Sequence, residues 1–159
     1  MKKILDATCG SKMMWFDKNH PDVVFLDKRQ INTTLCDGRV LNIEPDIIAD
    51  FTNLPFENNK FHLVVFDPPH LDNLGDKSYM AKKYGKLFPG WEDYIKMGFL
   101  ECMRVLKPNG TLIFKWNEHR IKTRRIIEVI GEKPLFGHPT GQNGKTIWMT
   151  FMKPEPDNL

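Results

Sequence analysis

The chain has 159 residues, 41% of them hydrophobic, with 23 Lys and Arg against 20 Asp and Glu, a formal net charge of +3. This is enough chain for one hydrophobic core, so a single domain over 1–159 is expected, with no separate recognition domain. No apolar run approaches membrane-spanning length, and no secretory pattern follows Met1-Lys2-Lys3. Three scattered cysteines (Cys9, Cys36, Cys102) lack CxxC spacing, which argues against structural zinc or a disulfide framework and for a reducing, cytoplasmic setting.

Strand-like and helix-like segments alternate along the chain. Residues 3–7 form a first strand, 11–19 a helix stopped by Pro21, and 23–27 a second strand ending in Asp27. Residues 46–50 form a third, ending in Asp50, and 62–67 a fourth, ending in Asp67. In 91–106, Trp91, Tyr94, Ile95, Gly98, Phe99, Cys102, Met103 and Leu106 recur at three- and four-residue steps, which predicts a helix. Lys107-Pro108-Asn109-Gly110 turns the chain into a fifth strand over 111–116. A helix over 119–130 is closed by Gly131, and 133–136 pairs with 146–152 around a glycine-rich loop, 137–144. Such alternation implies an α/β domain with a mainly parallel sheet covered on both faces, which binds ligands at the carboxyl ends of its strands.

The octapeptide Leu63-Val64-Val65-Phe66-Asp67-Pro68-Pro69-His70 carries the most chemistry. A short buried strand runs into an acid, and two prolines then end the ladder and hold the backbone extended. A carboxylate, a fixed carbonyl and a flat ring therefore stand together, a suitable clamp for a planar amine. Charge is uneven around it. Residues 1–76 hold 8 Lys and Arg against 12 Asp and Glu, 77–125 hold 12 against 4, and 126–159 hold 3 against 4. The basic middle suggests a polyanionic partner, with a solvated helix face as the plain alternative. Within it, 71–90 interleaves Lys77, Lys82, Lys83 and Lys86 with Tyr79, Tyr84 and Phe88, a composition suited to a nucleotide backbone and unstacked bases, or to a lid over a cofactor.

The order of these features resembles the class I S-adenosylmethionine-dependent methyltransferases over nearly the whole chain. Ile4-Leu5-Asp6-Ala7-Thr8-Cys9-Gly10 is similar to the first motif of that family, although Gly10 stands alone where two or three glycines are common. Leu106-Lys107-Pro108-Asn109-Gly110-Thr111-Leu112-Ile113-Phe114 resembles its turn into the fifth strand, and Asp67-Pro68-Pro69-His70 its (D/N/S)PP(Y/F/W) motif, with His70 in place of a larger ring. The resemblance implies a Rossmann-like three-layer sandwich: a mainly parallel seven-stranded sheet with a C-terminal antiparallel hairpin.

It also implies S-adenosyl-L-methionine as cofactor, held by Asp6, Cys9, Gly10, Asp27, Asp50 and Phe51. Asp6 would face the amino-acid end, Asp27 the ribose hydroxyls, and Asp50 the adenine amine with Phe51 beside it. The ordinary alternatives are turn or cap roles for Asp27 and Asp50, and bonding to nearby N–H groups for Asp6. Catalysis would fall to Asp67, Pro68, Pro69 and His70. The carboxylate and the Pro68 carbonyl would accept the hydrogens of an exocyclic amine while His70 stacks on its ring. The acceptor so implied is a nucleic-acid base, adenine N6 in DNA first, flipped from its helix and bound through the basic 77–125 region, with a protein partner as one source of target recognition. RNA, a small molecule or a protein amine are alternative acceptors, and a cofactor-binding subunit with little catalysis is an alternative role. No metal is implied. A nicotinamide enzyme and a nucleotide hydrolase are disfavoured, because neither GxGxxG nor GxxxxGK[ST] is present.

Overall fold

The computed structural model describes residues 1–70, 82, 85–140 and 144–156. Most of the 71–84 segment, including Lys77, Tyr79, Lys83 and Tyr84, lies outside the described residues.

The strands are β1 (Ile4–Asp6), β2 (Val23–Asp27), β3 (Ile31–Thr34), β4 (Val40–Ile43), β5 (Ile47–Ile48), β6 (Phe61–Phe66), β7 (Leu106–Asn117), β8 (Pro139–Thr140) and β9 (Thr146–Met152). Two helices are described, α1 (Trp91–Val105) and α2 (Thr123–Ile130). Seven strands make one sheet in the order β5-β2-β1-β6-β7-β9-β8. Strands β5, β2, β1, β6 and β7 are parallel, and β9 and β8 run against them. The predicted mixed sheet with its antiparallel terminal pair is therefore present. Strand order reverses between β1 and β6, which puts the ends of those two strands at the switch point where such sheets bind ligands.

Along β7 buried and half-buried residues alternate, so Leu112, Phe114 and Trp116 face one side and Ile113 and Lys115 the other. On the first side lies the main core. Leu5, Val64, Phe66, Leu112 and Phe114 pack there against Ile95, Phe99 and Cys102 of α1 and Ile126 and Ile130 of α2. The other face is built differently. Among the described residues no helix covers it; Trp15 packs instead on Phe25, Val23 and Cys9, while Leu63, Ile113 and Trp148 remain half-buried.

The predicted helix over 11–19 does not form; that stretch is a series of turns. Gly10 and Lys12 both have positive φ (49° and 56°), which an entering right-handed helix excludes. Met13-Met14-Trp15-Phe16 also places four apolar residues in a row, which suits no single helical face. Trp15 turns inward while Phe16 is fully exposed. Other bounds move less. The third strand shrinks to Ile47–Ile48, the fifth extends back to Leu106 with Asn109 at φ 62°, and the last helix starts at Thr123. The terminal pairing predicted for 133–136 reduces there to one bridge, Phe136 to Thr150, and the paired strand is Pro139–Thr140. A side chain at Gly137 would come 3.1 Å from the Trp148 carbonyl, so glycine lets the chain pass close to β9 and pair further on. The antiparallel β3–β4 hairpin was not foreseen; it has a small core of its own, Leu35, Leu41 and Ile43.

Candidate active site

The turn after β1 and the end of β6 are stitched together. Ala7 N–H donates to the Val65 carbonyl (3.0 Å), and Asp67 N–H donates to Thr8 Oγ1 (2.7 Å). Cys9 N–H reaches the Leu26 carbonyl (2.9 Å), which ties the same turn to β2. Between these strand ends lies a cleft of about 200 Å³. Cys9, Gly10, Asp27, Phe51, Asp67 and Pro69 all line it, so most of the predicted cofactor residues and the acid of the DPP motif share one cavity. At Gly10 the position a side chain would take has no atom within 4 Å, so the turn opens directly onto the cleft.

Asp6 does not reach this cavity. It is fully buried, accepting from Trp15 Nε1 (2.7 Å) and Thr8 N–H (3.1 Å). Burial lifts its pKa to about 7, against the opposing effect of those two hydrogen bonds, and the nearby Asp67 and Asp27 raise it further. Burial likewise pushes the Cys9 thiol well above its ordinary value, with Asp6 and Asp27 adding to the shift. Cys9 is thus a wall of the cleft rather than a nucleophile.

The other two acids assigned to the cofactor, Asp27 and Asp50, also have donors within the chain. Asp27 accepts from Gly10 N–H and from the backbone and guanidinium of Arg29. Asp50 lies two residues beyond β5. Its Oδ1 accepts from the Thr52 N–H (2.9 Å) and hydroxyl (2.8 Å), and its Oδ2 from the Tyr94 hydroxyl (3.0 Å). Lys28 Nζ donates to the same Tyr94 oxygen (2.8 Å). Burial disfavours the Asp50 carboxylate, but Thr52, Tyr94 and Lys28 together hold its pKa below the ordinary value. Phe51 stacks at a tilt on Tyr94 (4.4 Å between centroids) and meets Phe66 edge-on (5.0 Å). Gly98 of α1 makes this possible, since a side chain there would lie 2.5 Å from Phe51 Cδ2.

On the DPP side, Asp67 Oδ2 accepts from Lys115 Nζ (2.9 Å), and that ammonium also stands over the Trp148 ring at 5.5 Å. Pro69 packs against Gly85, where a side chain would come 3.0 Å from Pro69 Cγ. His70 sits edge-on to Trp116 (6.1 Å) and is half-buried. Burial lowers its pKa, Asp67 works the other way, and Lys115 lowers it again, so the ring is neutral at neutral pH. Thr8, Arg29, Tyr94 and Lys115 were not assigned to the site from the sequence. For Lys115 the signal was present: strand parity puts it at the end of β7, on the face opposite Phe114 and Trp116.

Among the described residues, part of the basic middle of the chain is paired internally. Arg104 bonds Glu101, Asn58 and the carbonyls of Leu54 and Phe56; Arg125 pairs with Glu92 and Glu128; Arg124 pairs with Glu128. The start of α2 is served by Glu118, whose carboxylate accepts from Thr123 N–H (2.9 Å) and opposes the local positive charge. Among the described residues no His, Cys, Asp and Glu group could hold a metal, and no helix is long and apolar enough to cross a membrane.

No protein-family model and no curated protein sequence matches the chain. Solved structures do. A TehB-like SAM-dependent methyltransferase from Corynebacterium glutamicum is 15% identical with a TM-score of 0.57, over 96% of this chain and 80% of that one. The N-methyltransferase NodS from Bradyrhizobium japonicum is 13% identical with a TM-score of 0.58, over 97% and 86%. The [4+2]-cyclase SpnF is 12% identical, also at 0.58, over 96% and 74%. The fold is therefore that of class I S-adenosylmethionine-dependent methyltransferases. The cyclase shows that this fold alone does not fix the reaction.

Proposed function

We propose that the protein is an S-adenosylmethionine-dependent N-methyltransferase whose acceptor is a planar amine held at Asp67. The observation that carries this reading is the single cleft lined by Cys9, Gly10, Asp27 and Phe51 on one side and by Asp67 and Pro69 on the other. The open Gly10 turn and the Phe51 wall fit the cofactor, with Asp27 as ribose partner and Asp50 at the adenine end. When bound, the cofactor supplies an electrophilic methyl on a sulfonium, with a neutral thioether as leaving group.

The chain's own task is then the nucleophile. A planar amine has its lone pair delocalised into its ring. Hydrogen bonds from its two N–H groups to Asp67 and to the Pro68 carbonyl favour a pyramidal nitrogen and aim the pair at the methyl. Lys115 occupies Asp67 Oδ2, which leaves Oδ1 as the oxygen for the amine. His70, neutral and braced by Trp116, offers a flat face to the acceptor ring.

A small-molecule amine is the first acceptor class, because NodS, on the same fold, is an N-methyltransferase and part of the 77–125 charge, at Arg104, Lys115 and Arg125, is paired inside the chain. A nucleic-acid base, DNA before RNA, is the second; Lys86 in the cleft lining and the DPP motif favour it. The test is transfer of labelled methyl to a panel of amino-heterocycles, nucleosides, DNA, RNA and protein. Asp67→Ala is expected to lower transfer at least a hundredfold while cofactor binding persists. Transfer undiminished in Asp67→Ala would remove Asp67 from the chemistry, and cofactor binding with no transfer to any class would favour a binding subunit.

A further inference from the structure

Asp27 stands at the head of the cleft with its carboxylate saturated. The four lone-pair positions of a carboxylate meet four donors. Arg29 N–H (2.9 Å) and Nε (3.0 Å) reach Oδ1, while Gly10 N–H (2.9 Å) and Arg29 Nη2 (3.2 Å) reach Oδ2. The acid is only 5% exposed, so no oxygen is left over for a ligand. Two of these donors are backbone and fixed. The other two belong to one guanidinium, whose remaining nitrogen, Nη1, donates to the Lys82 carbonyl (3.2 Å). That guanidinium also borders Gly85, the residue packed on Pro69.

A ligand presenting a vicinal diol to Asp27 needs the two positions that Nε and Nη2 now fill. We infer that Arg29 is a placeholder for that diol: it occupies Asp27 until the ligand's two hydroxyls displace its side chain, and it thereby sets cofactor affinity by internal competition. The inference rests on the S-adenosylmethionine reading above and adds to it a residue that works against binding. Arg29 Nη1 lies 3.9 Å from the position a side chain at Gly85 would take, beside the Gly85–Pro69 packing. An exchange at Asp27 is therefore felt next to the acceptor motif. A charge-assisted pair is costly to open, so removing it has a definite sign: binding tightens.

The test is calorimetric binding of S-adenosylhomocysteine, and of its 2′,3′-dideoxy counterpart, to wild type, Arg29→Met and Arg29→Lys. For Arg29→Met the homocysteine ligand is expected to bind on the order of tenfold tighter, with no gain for the dideoxy ligand. Arg29→Lys keeps the charge but not the two-pronged geometry, so its gain is smaller and also confined to the diol. It decides the matter should the Met variant fail to fold by thermal unfolding. Equal or weaker binding of S-adenosylhomocysteine, or an equal gain for both ligands, overturns the placeholder role and makes Arg29 a cofactor ligand or a structural residue. No binding by wild type itself overturns the cofactor reading, and this inference with it.

Discussion

The two halves of the sheet are held by different means. From β6 onward, long strands pack against α1 and α2 through large apolar side chains, with Phe66, Phe99, Phe114, Trp116 and Phe151 almost wholly buried. From β1 to β5, no helix bridges the strands; turns and a hairpin make the crossovers, and polar contacts pin them. Trp15 is held to Asp6, Gly10 to Asp27, Thr8 to the backbone of Asp67, and Arg104 reaches from α1 to fasten the carbonyls at 54 and 56. The apolar half builds a stable platform, and the polar half presents backbone and carboxylates to a ligand. The difference teaches that where a crossover helix is missing, buried polar groups set the shape of the binding turn. The two halves should then fail in different ways.

The largest expected effect lies in the apolar half. Trp116 is fully buried between Phe114 and His70, and its Nε1 donates to the Ile121 carbonyl (2.9 Å). Trp116→Ala is expected to cost about 3–5 kcal/mol in denaturant unfolding, through lost burial and a large cavity. A cost under about 1 kcal/mol would mean that this half is not held by its apolar packing.

In the polar half, Trp15→Phe keeps a ring against Phe25 but removes the donor to Asp6. The expected cost is about 1–3 kcal/mol, that of a buried acceptor losing its partner. The loss should be local: hydrogen exchange should speed up over 7–22 and leave α1 and β7 unchanged. Equal acceleration in both halves would erase the contrast between them.

Legibility in the sequence follows the same divide. The elements of the apolar half could be read because periodicity records burial: α1 and β9 fall almost where three-to-four and two-residue spacing place them. The polar half was misread at 11–19, because the turn there depends on a bond from Trp15 to Asp6, nine residues away, and on a left-handed Lys12. Neither leaves a periodic trace. Asp27, Gly10 and Asp67 were identified from strand-end position and Phe51 from the family resemblance, and all four line one cleft, since parallel strands must deliver their ends to one rim. Position could not reveal that Arg29, Tyr94 and Lys115 would already bond three of the acids, because those partners are set by side-chain packing across elements.

The finest test of the polar half is a pH dependence centred on Asp6. In the fold its pKa stands near 7, raised first by burial, then by Asp67 and Asp27, and lowered by Trp15 and Thr8. In the unfolded chain an aspartate titrates near ~3.9. The folded state therefore binds the extra proton between those values, and the unfolded state does not. The resulting stabilisation is full below about pH 4, declines as pH rises, and is gone above about pH 7. Asp6→Asn has no such proton, so the difference in Tm between wild type and Asp6→Asn should shift against wild type from pH 4 to 7 and then level off. In the Trp15→Phe background the carboxylate loses a hydrogen bond that favoured its charged form, so the decline should extend to higher pH. A difference that stays flat across this range would show that Asp6 is ionised in the fold, and that the turn at Gly10 is held by a charge rather than by a buried neutral acid.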